Sequence, residues 1–229
     1  MEKLIEILTA DGYSRTDLPI SKPLVIHAVA GAGKTETIRR FLKVWPATNA
    51  QTLGTPDKPN ISRKMIRAFT GPKANMFNIL DEYCAVPLKG SWDAVFADPL
   101  QHPDHALDPH FTKSVSHRVG PETCDILSDI GIEVTSVGES QTVSRTGVFD
   151  GELHGVLIAL DLEIERLVRN HGLPVLCPRS TIGLQFPKVT VLSSIPLTHI
   201  EDVTSVYIAL TRHTKELHVR APPDPDTTC

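Results

Sequence analysis

The stretch that decides the fold is Leu24–Thr35, with the sequence LVIHAVAGAGKT. Its first six residues form an apolar run without polar alternation, which is typical of a buried strand in a parallel sheet. A glycine-rich turn follows, and Glu36–Val44 is predicted to be a helix that is stopped by Pro46. A strand, a glycine-rich turn and a helix in this order are the setting of a phosphate-binding loop.

The end of this stretch, Gly33-Lys34-Thr35, predicts nucleotide chemistry. Backbone amides of such a loop wrap the β-phosphate, the lysine reaches the β- and γ-phosphates, and the threonine hydroxyl binds Mg²⁺. Because Ala28 stands where the usual G-x-x-x-x-G-K-[ST] pattern has its first glycine, a plain glycine-rich turn is the alternative. The residues predicted to hold ATP, or another NTP, with Mg²⁺ are Ala30, Gly31, Ala32, Gly33, Lys34, Thr35 and Glu36.

An acidic pair, Asp81-Glu82, ends the apolar segment Met76–Leu80. Downstream of a phosphate-binding loop, Asp81 is expected in the Mg²⁺ shell and Glu82 is expected to orient or deprotonate the attacking water. The alternative for an acidic pair at a strand end is an ordinary solvated turn.

Strands that alternate with helices along the chain predict an α/β fold with doubly wound parallel sheets. With 229 residues the chain suits one large domain or two small ones, and an aromatic content of 5% argues against an all-β sandwich. The first predicted series has an amphipathic helix at the N-terminus and strands at Leu24–Val29, Gln51–Leu53, Met76–Leu80 and Ala94–Ala97, with an irregular basic stretch between Pro56 and Pro72. The second has strands at Thr112–Ser116, Glu133–Val137, Gly155–Leu160, around Val175, at Val189–Leu192 and at Leu217–Arg220, helices at Glu122–Ile130 and Asp161–Asn170, and an element at Val206–Thr211.

A loop rich in proline and histidine, Asp98–His110, separates the two series. We predict an N-terminal nucleotide-binding lobe over residues 1–113, a C-terminal lobe over 114–222 and a flexible tail over 223–229. The histidines and aspartates of the loop match no compact zinc motif, so we expect a polar interdomain segment.

Charge and cysteine content narrow the function classes. Residues 1–114 carry 14 basic and 12 acidic side chains, and residues 115–229 carry 9 and 15, so nucleic-acid contacts are expected to begin in the first half. Four widely spaced cysteines predict free thiols in a reducing compartment, with Cys84 a small buried hydrophobic residue. The apolar runs fall short of the ~20 residues that cross a bilayer, and no signal peptide is recognisable, so we expect a soluble cytosolic protein.

The basic segment from Lys58 to Lys73 favours single-stranded RNA as a partner. Basic groups on a flexible segment suit a phosphate backbone, and a phenylalanine offers base stacking. The predicted RNA-binding residues are Lys58, Arg63, Lys64, Arg67, Phe69 and Lys73. The alternative is a solvated basic face, and for the neighbouring Arg39 and Arg40 that alternative is preferred.

Four further motifs occur in a fixed order: Asp81–Tyr83, Ala97–Gln101 (ADPLQ), Ser116–Arg118 (SHR) and Tyr207–Arg212 (YIALTR). With the phosphate-binding loop, this series resembles the motifs of superfamily 1 RNA helicases of positive-strand RNA viruses over roughly residues 24–219. A chain of this size without replicase domains is most similar to the first proteins of the triple gene block, the movement proteins of potexviruses, carlaviruses and their relatives.

The resemblance implies two RecA-like parallel-sheet lobes of a superfamily 1 helicase core. It also implies that Gln101 senses the γ-phosphate and that Arg118 and Arg212 act as arginine fingers from the second lobe. The alternative for each arginine is a structural role such as a surface salt bridge. The catalytic set is then Lys34, Asp81, Glu82, Gln101, Arg118 and Arg212.

The implied activity is an RNA-binding, Mg²⁺-dependent NTPase and RNA helicase. The implied biology is transport of viral RNA through plasmodesmata and suppression of RNA silencing in the host cytoplasm. Implied partners are viral single-stranded RNA, further copies of the chain, coat protein, the other triple-gene-block proteins and host silencing factors, and the chain itself is not expected to span a membrane.

Two other classes of function stay open. The first is an RNA- and partner-binding movement factor without unwinding activity, whose nucleotide site is regulatory. It is favoured by Ala28 and by the stretch Ile182–Phe186, where Ile182 and Gln185 replace the glutamine and threonine of the family's Gln-Gly-x-Thr-Phe motif. The second, a small-molecule kinase with a phosphate-binding loop, is disfavoured because no lid for an acceptor substrate is recognisable.

Overall fold

A computed structural model describes residues 1–62 and 64–224. This part of the chain divides into two compact units, one over Met1–Val115 and one that begins at Ser116. Each unit is built around a parallel sheet with helices, so the predicted α/β class is confirmed. The RNA contact predicted for Arg63, and residues 225–229 of the predicted flexible tail, concern residues outside the described part.

The first unit holds a seven-stranded sheet with the strand order β1-β7-β2-β6-β5-β3-β4. All neighbouring strands are parallel except the β1–β7 pair at one edge. The elements are α1 (Glu2–Ala10), β1 (Ser14–Arg15), β2 (Leu24–Ala28), α2 (Lys34–Val44), β3 (Thr48–Thr52), β4 (Arg67–Ala68), β5 (Phe77–Asp81), β6 (Ala94–Ala97) and β7 (Phe111–Lys113).

The core of this unit follows from the apolar strands. All five residues of β2 are buried, as expected for a central strand with neighbours on both sides. Helix α2 buries Ile38 and Phe41, and the Phe41 ring lies 5.1 Å from that of Phe77. Helix α1 buries Leu4 and Leu8 and contacts α2. Each such side chain contributes roughly 1.5–3 kcal/mol when fully buried.

The second unit holds a four-stranded, fully parallel sheet with the strand order β10-β13-β12-β11. A short two-stranded sheet pairs β8 with β9. The elements are β8 (Val115–Ser116), α3 (Pro121–Asp129), β9 (Thr135–Ser136), β10 (Thr142–Thr146), β11 (Val156–Ala159), α4 (Leu162–Asn170), β12 (Phe186–Leu192), α5 (Val203–Leu210) and β13 (His213–Arg220).

Side-chain caps explain where two helices of this unit begin. The Asp161 carboxylate accepts a hydrogen bond from Ile164 N at 2.9 Å at the start of α4. The Asp202 carboxylate accepts from Ser205 N at 3.1 Å at the start of α5. An aspartate in this position satisfies a backbone N–H that has no partner within the helix.

Several predicted element boundaries were wrong. The strand predicted at 112–116 is divided between β7 and β8, and β7 pairs with β2 in the first sheet. The strand predicted around Val175 is a single bridge between Ile158 and Leu176. Strand β9 has only two residues, and β4 lies in a stretch predicted to be irregular. Strand β10 was missed because its half-exposed sequence, TVSRT, has no apolar run.

Candidate nucleotide-binding site

The carboxyl ends of three strands form one edge of the first sheet. Strand β6 lies between β2 and β5, with His27 of β2 opposite Ala97 and Asp81 of β5 opposite Phe96. The phosphate-binding loop follows β2, the acidic pair ends β5, and Asp98 follows β6. This edge of an open parallel sheet is where such folds bind ligands.

The loop between β2 and α2 has the backbone of a phosphate-binding turn. Gly31 and Gly33 have φ angles of 79° and 94°, and Gly33 is the N-cap of α2. Such left-handed angles favour glycine. The loop ends at a helix N-terminus, whose free N–H groups and dipole attract anions. Ala28 is the last residue of β2, outside the turn, so its side chain is compatible with this loop.

The side chain of Lys34 bonds back to the start of this loop. Its Nζ donates hydrogen bonds to Ala28 O at 2.8 Å and to Val29 O at 3.4 Å, and the residue is only 8% exposed. A buried ammonium group beside a helix N-terminus provides a compact positive charge for phosphate oxygens.

The acidic pair provides two carboxylate oxygens without partners. Asp81 Oδ1 and Glu82 Oε2 are buried and make no hydrogen bond within residues 1–62 and 64–224. Burial, and after it the charge of Glu82, raises the pKa of Asp81 to about 7, while the nearby charge of Lys34 acts in the opposite direction. Such oxygens lack the countercharge that a cation supplies.

These donors fit Mg²⁺ better than a metal held entirely by protein. In the described part of the chain, no group of three or more His, Cys, Asp or Glu side chains is placed to hold a metal ion. Mg²⁺ is commonly bound by one or two carboxylates, with waters and nucleotide phosphates completing its shell. Thr35 and Asp81 are the residues of this edge that would hold it.

Gln101 is fixed by Asp98, a residue that the sequence analysis gave no role. Asp98 is fully buried, and its Oδ2 accepts a hydrogen bond from Gln101 Nε2 at 2.7 Å. Gln101 N also donates to Asp98 O at 3.1 Å. The amide of the predicted γ-phosphate sensor is therefore held in one orientation at the end of β6.

The two predicted arginine fingers lie together in the second unit. Arg212 is 2% exposed, and its guanidinium donates to Ile208 O at 3.0 Å, Thr181 O at 3.4 Å and Thr211 Oγ1 at 3.0 Å. Arg118 Nη2 donates to Thr211 O at 3.3 Å. Both arginines therefore meet at the turn that follows α5. These bonds anchor each of them within its own unit.

The altered fifth motif contacts the same turn. Phe186 N donates to Arg212 O at 2.9 Å, and Arg212 in turn donates to Thr181 O just before the motif. Gly183 has a φ angle of 78° and supplies the turn between them. The stretch Ile182–Phe186 is therefore joined to Arg212.

Gln141 is a second residue that the sequence analysis missed. Its Oε1 accepts from Gly120 N at 3.0 Å, and its Nε2 donates to Arg118 O at 2.8 Å and Thr214 O at 3.1 Å. It fixes the backbone of Arg118, but it precedes an edge strand and belongs to no motif.

The described residues of the predicted RNA-binding set lie on the surface. Lys58, Lys64, Arg67 and Lys73 are exposed, and Phe69 is 45% exposed with its ring 6.2 Å from that of Trp92. A groove of about 700 Å³ beside this segment is lined by Arg39, Lys43, Asp57, Lys58, Asn60, Ser62 and Lys64.

Arg39 and Arg40 differ from this set. Arg39 pairs with Asp57, and Arg40 pairs with Asp11. Their charges are therefore balanced locally.

Two other residues of the first unit have structural roles. Burial raises the pKa of Cys84 to about 11, so its thiol stays protonated, as predicted for a small buried hydrophobic residue. His110 Nδ1 accepts a hydrogen bond from Val25 N at 2.9 Å and joins the histidine-rich loop to β2.

Among the described residues, no helix has the length and hydropathy of a membrane span.

The fold and this sheet edge are those of an α/β protein with a phosphate-binding loop. The model of the viral superfamily 1 RNA helicase core domain matches residues 24–221. The complex of arterivirus nonstructural protein 10 (helicase) with DNA has a similar fold, with a TM-score of 0.60 at 18% identity. That match covers 90% of this chain and 62% of the arterivirus chain.

Two curated relatives are much closer in sequence. The movement and silencing protein TGBp1 of Plantago asiatica mosaic potexvirus is 50% identical over 97% of this chain and 98% of its own length. That of Papaya mosaic potexvirus is 44% identical over 100% and 98%. The chain therefore belongs to the viral superfamily 1 RNA helicase family, together with the potexviral TGBp1 proteins that it matches over nearly its whole length.

Proposed function

We propose that this chain is an Mg²⁺-dependent NTPase of the superfamily 1 helicase type that binds single-stranded RNA. The observation that carries the proposal is the arrangement at one sheet edge of buried Lys34 and two carboxylate oxygens without partners in the described chain, Asp81 Oδ1 and Glu82 Oε2. A cation, an anion-binding helix N-terminus and a carboxylate beside a metal position are the parts that phosphoryl transfer to water requires.

Each residue of this edge has one task in the proposed mechanism. The loop amides and Lys34 bind the nucleotide phosphates, and Thr35 and Asp81 hold Mg²⁺, which neutralises charge on the phosphate oxygens when bound. Glu82 orients the attacking water and accepts its proton. Gln101, held by Asp98, contacts the γ-phosphate through its amide.

Arg118 and Arg212 are the proposed arginine fingers, as the family resemblance implies. An arginine finger contributes roughly 10³-fold or more in rate because charge spreads over the γ-phosphoryl oxygens in the transition state. To act in this way, both side chains must exchange bonds to Thr211 and its neighbours for bonds to phosphate.

The second candidate is a nucleotide-regulated RNA-binding factor that does not unwind duplexes. It is favoured by the anchoring of Arg212, which is 2% exposed and hydrogen-bonded at three guanidinium nitrogens. In this case ATP binding changes affinity for RNA or partners, and hydrolysis is slow with or without RNA.

The biological role that we propose follows the family. Relatives with 50% and 44% identity are named movement and silencing proteins. We extend the role in these names to this chain, which in our proposal moves viral RNA between host cells through plasmodesmata and suppresses RNA silencing. Its proposed partners in the host cytoplasm are viral RNA, further copies of itself, coat protein, the other triple-gene-block proteins and host silencing factors.

Phosphate release from Mg²⁺-ATP, measured with and without single-stranded RNA, tests the proposed enzyme. We expect release without any added acceptor and a several-fold increase with RNA. Release that needs a small-molecule acceptor would instead indicate a kinase. Tight ATP binding without release favours the regulatory candidate, and separation of a tailed duplex excludes it.

Lys64→Ala combined with Arg67→Ala tests the RNA surface. Both side chains are exposed on the basic segment. If each contacts one phosphate, RNA affinity should fall and the slope of log K against log salt should decrease by about 1.4, since single strands lose about 0.7 per contact. Titration of a labelled oligonucleotide at several salt concentrations measures both.

The matched control for this pair is Lys3→Ala combined with Lys22→Ala. These two lysines are exposed in the same unit but lie outside the segment. The control removes the same charge and should leave the slope unchanged. An equal decrease in both variants would mean that the first unit attracts RNA through net charge alone.

A further inference from the structure

Glu82 has an unusual backbone conformation. Its φ and ψ angles are 56° and 36°, in the left-handed region. Among the described residues, only Asn75 and Glu82 combine a non-glycine side chain with a positive φ. Asparagine adopts this region readily, whereas glutamate is strained in it. The surrounding structure must therefore hold Glu82 in place.

The next residue, Tyr83, can hold the backbone of Glu82 in place. Its side chain is fully buried in a cluster formed by Val25, Leu80, Tyr83, Cys84, Trp92, Val95 and Ala97. The buried ring leaves the backbone on either side of it little freedom. An anchored residue 83 therefore restricts the conformations that residue 82 can adopt.

The hydroxyl group of Tyr83 is fixed as well. It accepts a hydrogen bond from Leu107 N at 2.9 Å and lies 2.7 Å from His27 Nε2. Burial lowers the pKa of His27 to about 4, so the imidazole is neutral at pH 7. A neutral ring with its proton on Nδ1 can accept the Tyr83 proton at Nε2, while the Tyr83 oxygen accepts from Leu107 N.

His27 is also the one polar residue of β2, the strand that leads into the phosphate-binding loop. It lies opposite Ala97 of β6 and Thr112 of β7. The bond between His27 and Tyr83 therefore joins the strand of the loop to the residue that follows the acidic pair. The Leu107 bond adds the histidine-rich loop to the same contact.

We propose that His27 and Tyr83 are positioning residues: their hydrogen bond, together with that of Leu107, holds the left-handed backbone at Glu82 and so aims its carboxylate at the attacking water. The inference rests on the proposed NTPase function of the same site. In this role each residue acts through Glu82.

Tyr83→Phe is the first test because it keeps the ring and removes only the hydroxyl. We expect kcat for ATP hydrolysis to fall about tenfold, with KM and the affinity for a fluorescent ATP analogue within twofold of wild type. His27→Val removes the other side of the same bond and should have the same effect. It also serves if Tyr83→Phe does not fold.

The Glu82→Gln background separates positioning from general packing. Since Tyr83 acts through the Glu82 carboxylate, Tyr83→Phe should cause no further loss of kcat in that background. A tenfold loss in both backgrounds would overturn the inference. So would wild-type kcat in the single variant. Tyr13→Phe, which removes another buried tyrosine hydroxyl of the same unit, is the matched control and should leave kcat unchanged.

Hydrogen exchange tests the contact independently of catalysis. In Tyr83→Phe the Leu107 amide loses its acceptor, so its exchange should be about fivefold faster, which corresponds to one ordinary hydrogen bond. Unchanged exchange would overturn the inference even in an active enzyme. Faster exchange in a protein that hydrolyses no nucleotide would support the contact and refute the proposed function instead.

Discussion

Replacing Lys34 with alanine is expected to lower the rate of ATP hydrolysis at least ~10³-fold without unfolding the protein. Lys34 supplies the positive charge inside the loop, where its Nζ lies 2.8 Å from Ala28 O in a buried position. Charge that develops on phosphate oxygens in the transition state is stabilised strongly by a fixed cation shielded from water. Alanine cannot replace that charge, and it also removes the hydrogen bonds that Nζ donates to Ala28 O and Val29 O, so the fold of the variant is checked separately.

Phosphate release under saturating ATP and Mg²⁺ measures this loss, and circular dichroism with thermal unfolding checks the fold. Lys22→Ala is the matched control, because Lys22 is an exposed lysine of the same unit that pairs with Asp93. We expect the control to hydrolyse ATP at the wild-type rate. A folded Lys34→Ala protein with wild-type activity would contradict the assignment of the loop as the catalytic site.

Replacing Asp81 with asparagine is expected to change activity and the pH dependence of stability in different ways. Asparagine is a poor ligand for Mg²⁺, so hydrolysis should fall by roughly 10² or more. Without metal, the wild-type protein should become less stable as pH rises because the buried carboxyl group loses its proton. The variant should not show this loss of stability. Both effects have one origin, since the buried carboxylate lacks a cation until Mg²⁺ binds.

The sign of the stability effect follows from the pKa of Asp81. Burial and the charge of Glu82 raise that pKa from 3.8 to about 7 in the folded protein. Between these values the folded state keeps a proton that the unfolded state has released, so the free energy of unfolding decreases as pH rises. Asp81→Asn should lack this decrease.

Denaturant unfolding in EDTA at several pH values gives the free energy of unfolding of wild type and of Asp81→Asn. The difference between the two proteins at each pH measures the effect. Burial lowers the pKa values of His27 and His213 to about 4, which has the opposite effect below pH 6.5. Wild type and variant share both histidines, so the difference isolates Asp81.

Asp57→Asn is the matched control for the stability measurement. The hydrogen bond from Arg39 lowers the pKa of Asp57, so its carboxylate stabilises the fold at neutral pH and its removal should act with the opposite sign. If the free energy of unfolding varied with pH in the same way in wild type and Asp81→Asn, the raised pKa of Asp81 would be refuted.

Local sequence was sufficient to predict the parts of the nucleotide site that lie close together in the chain. The stretch from Leu24 to Thr35 predicted a strand, a turn and a helix start, and the structure has β2, two left-handed glycines and α2 there. Asp81 was correctly placed at the end of an apolar strand. Apolar runs and glycine-rich turns determine these features because they depend on nearest neighbours in the chain.

Local sequence patterns could not predict the short or half-exposed strands. Strand β10 has an exposed, polar sequence, and its strand form depends on pairing with β13, some seventy residues away. The segment 112–116 contributes to two different sheets, which its own residues do not indicate. Strand propensity is weak in such segments, so the partner strand decides.

By itself, therefore, the sequence determined the α/β class, the phosphate-binding loop and the order of the family motifs, because each depends on residues adjacent along the chain. Only the tertiary structure decided that Asp98 orients Gln101, that Arg118 and Arg212 meet at Thr211, and that Tyr83 bonds to His27 beside a left-handed Glu82. The contacts of Arg118 with Thr211 and of Tyr83 with His27 join residues far apart in sequence. Burial and the need to satisfy every buried polar group select the partners, and neither acts until the chain is folded.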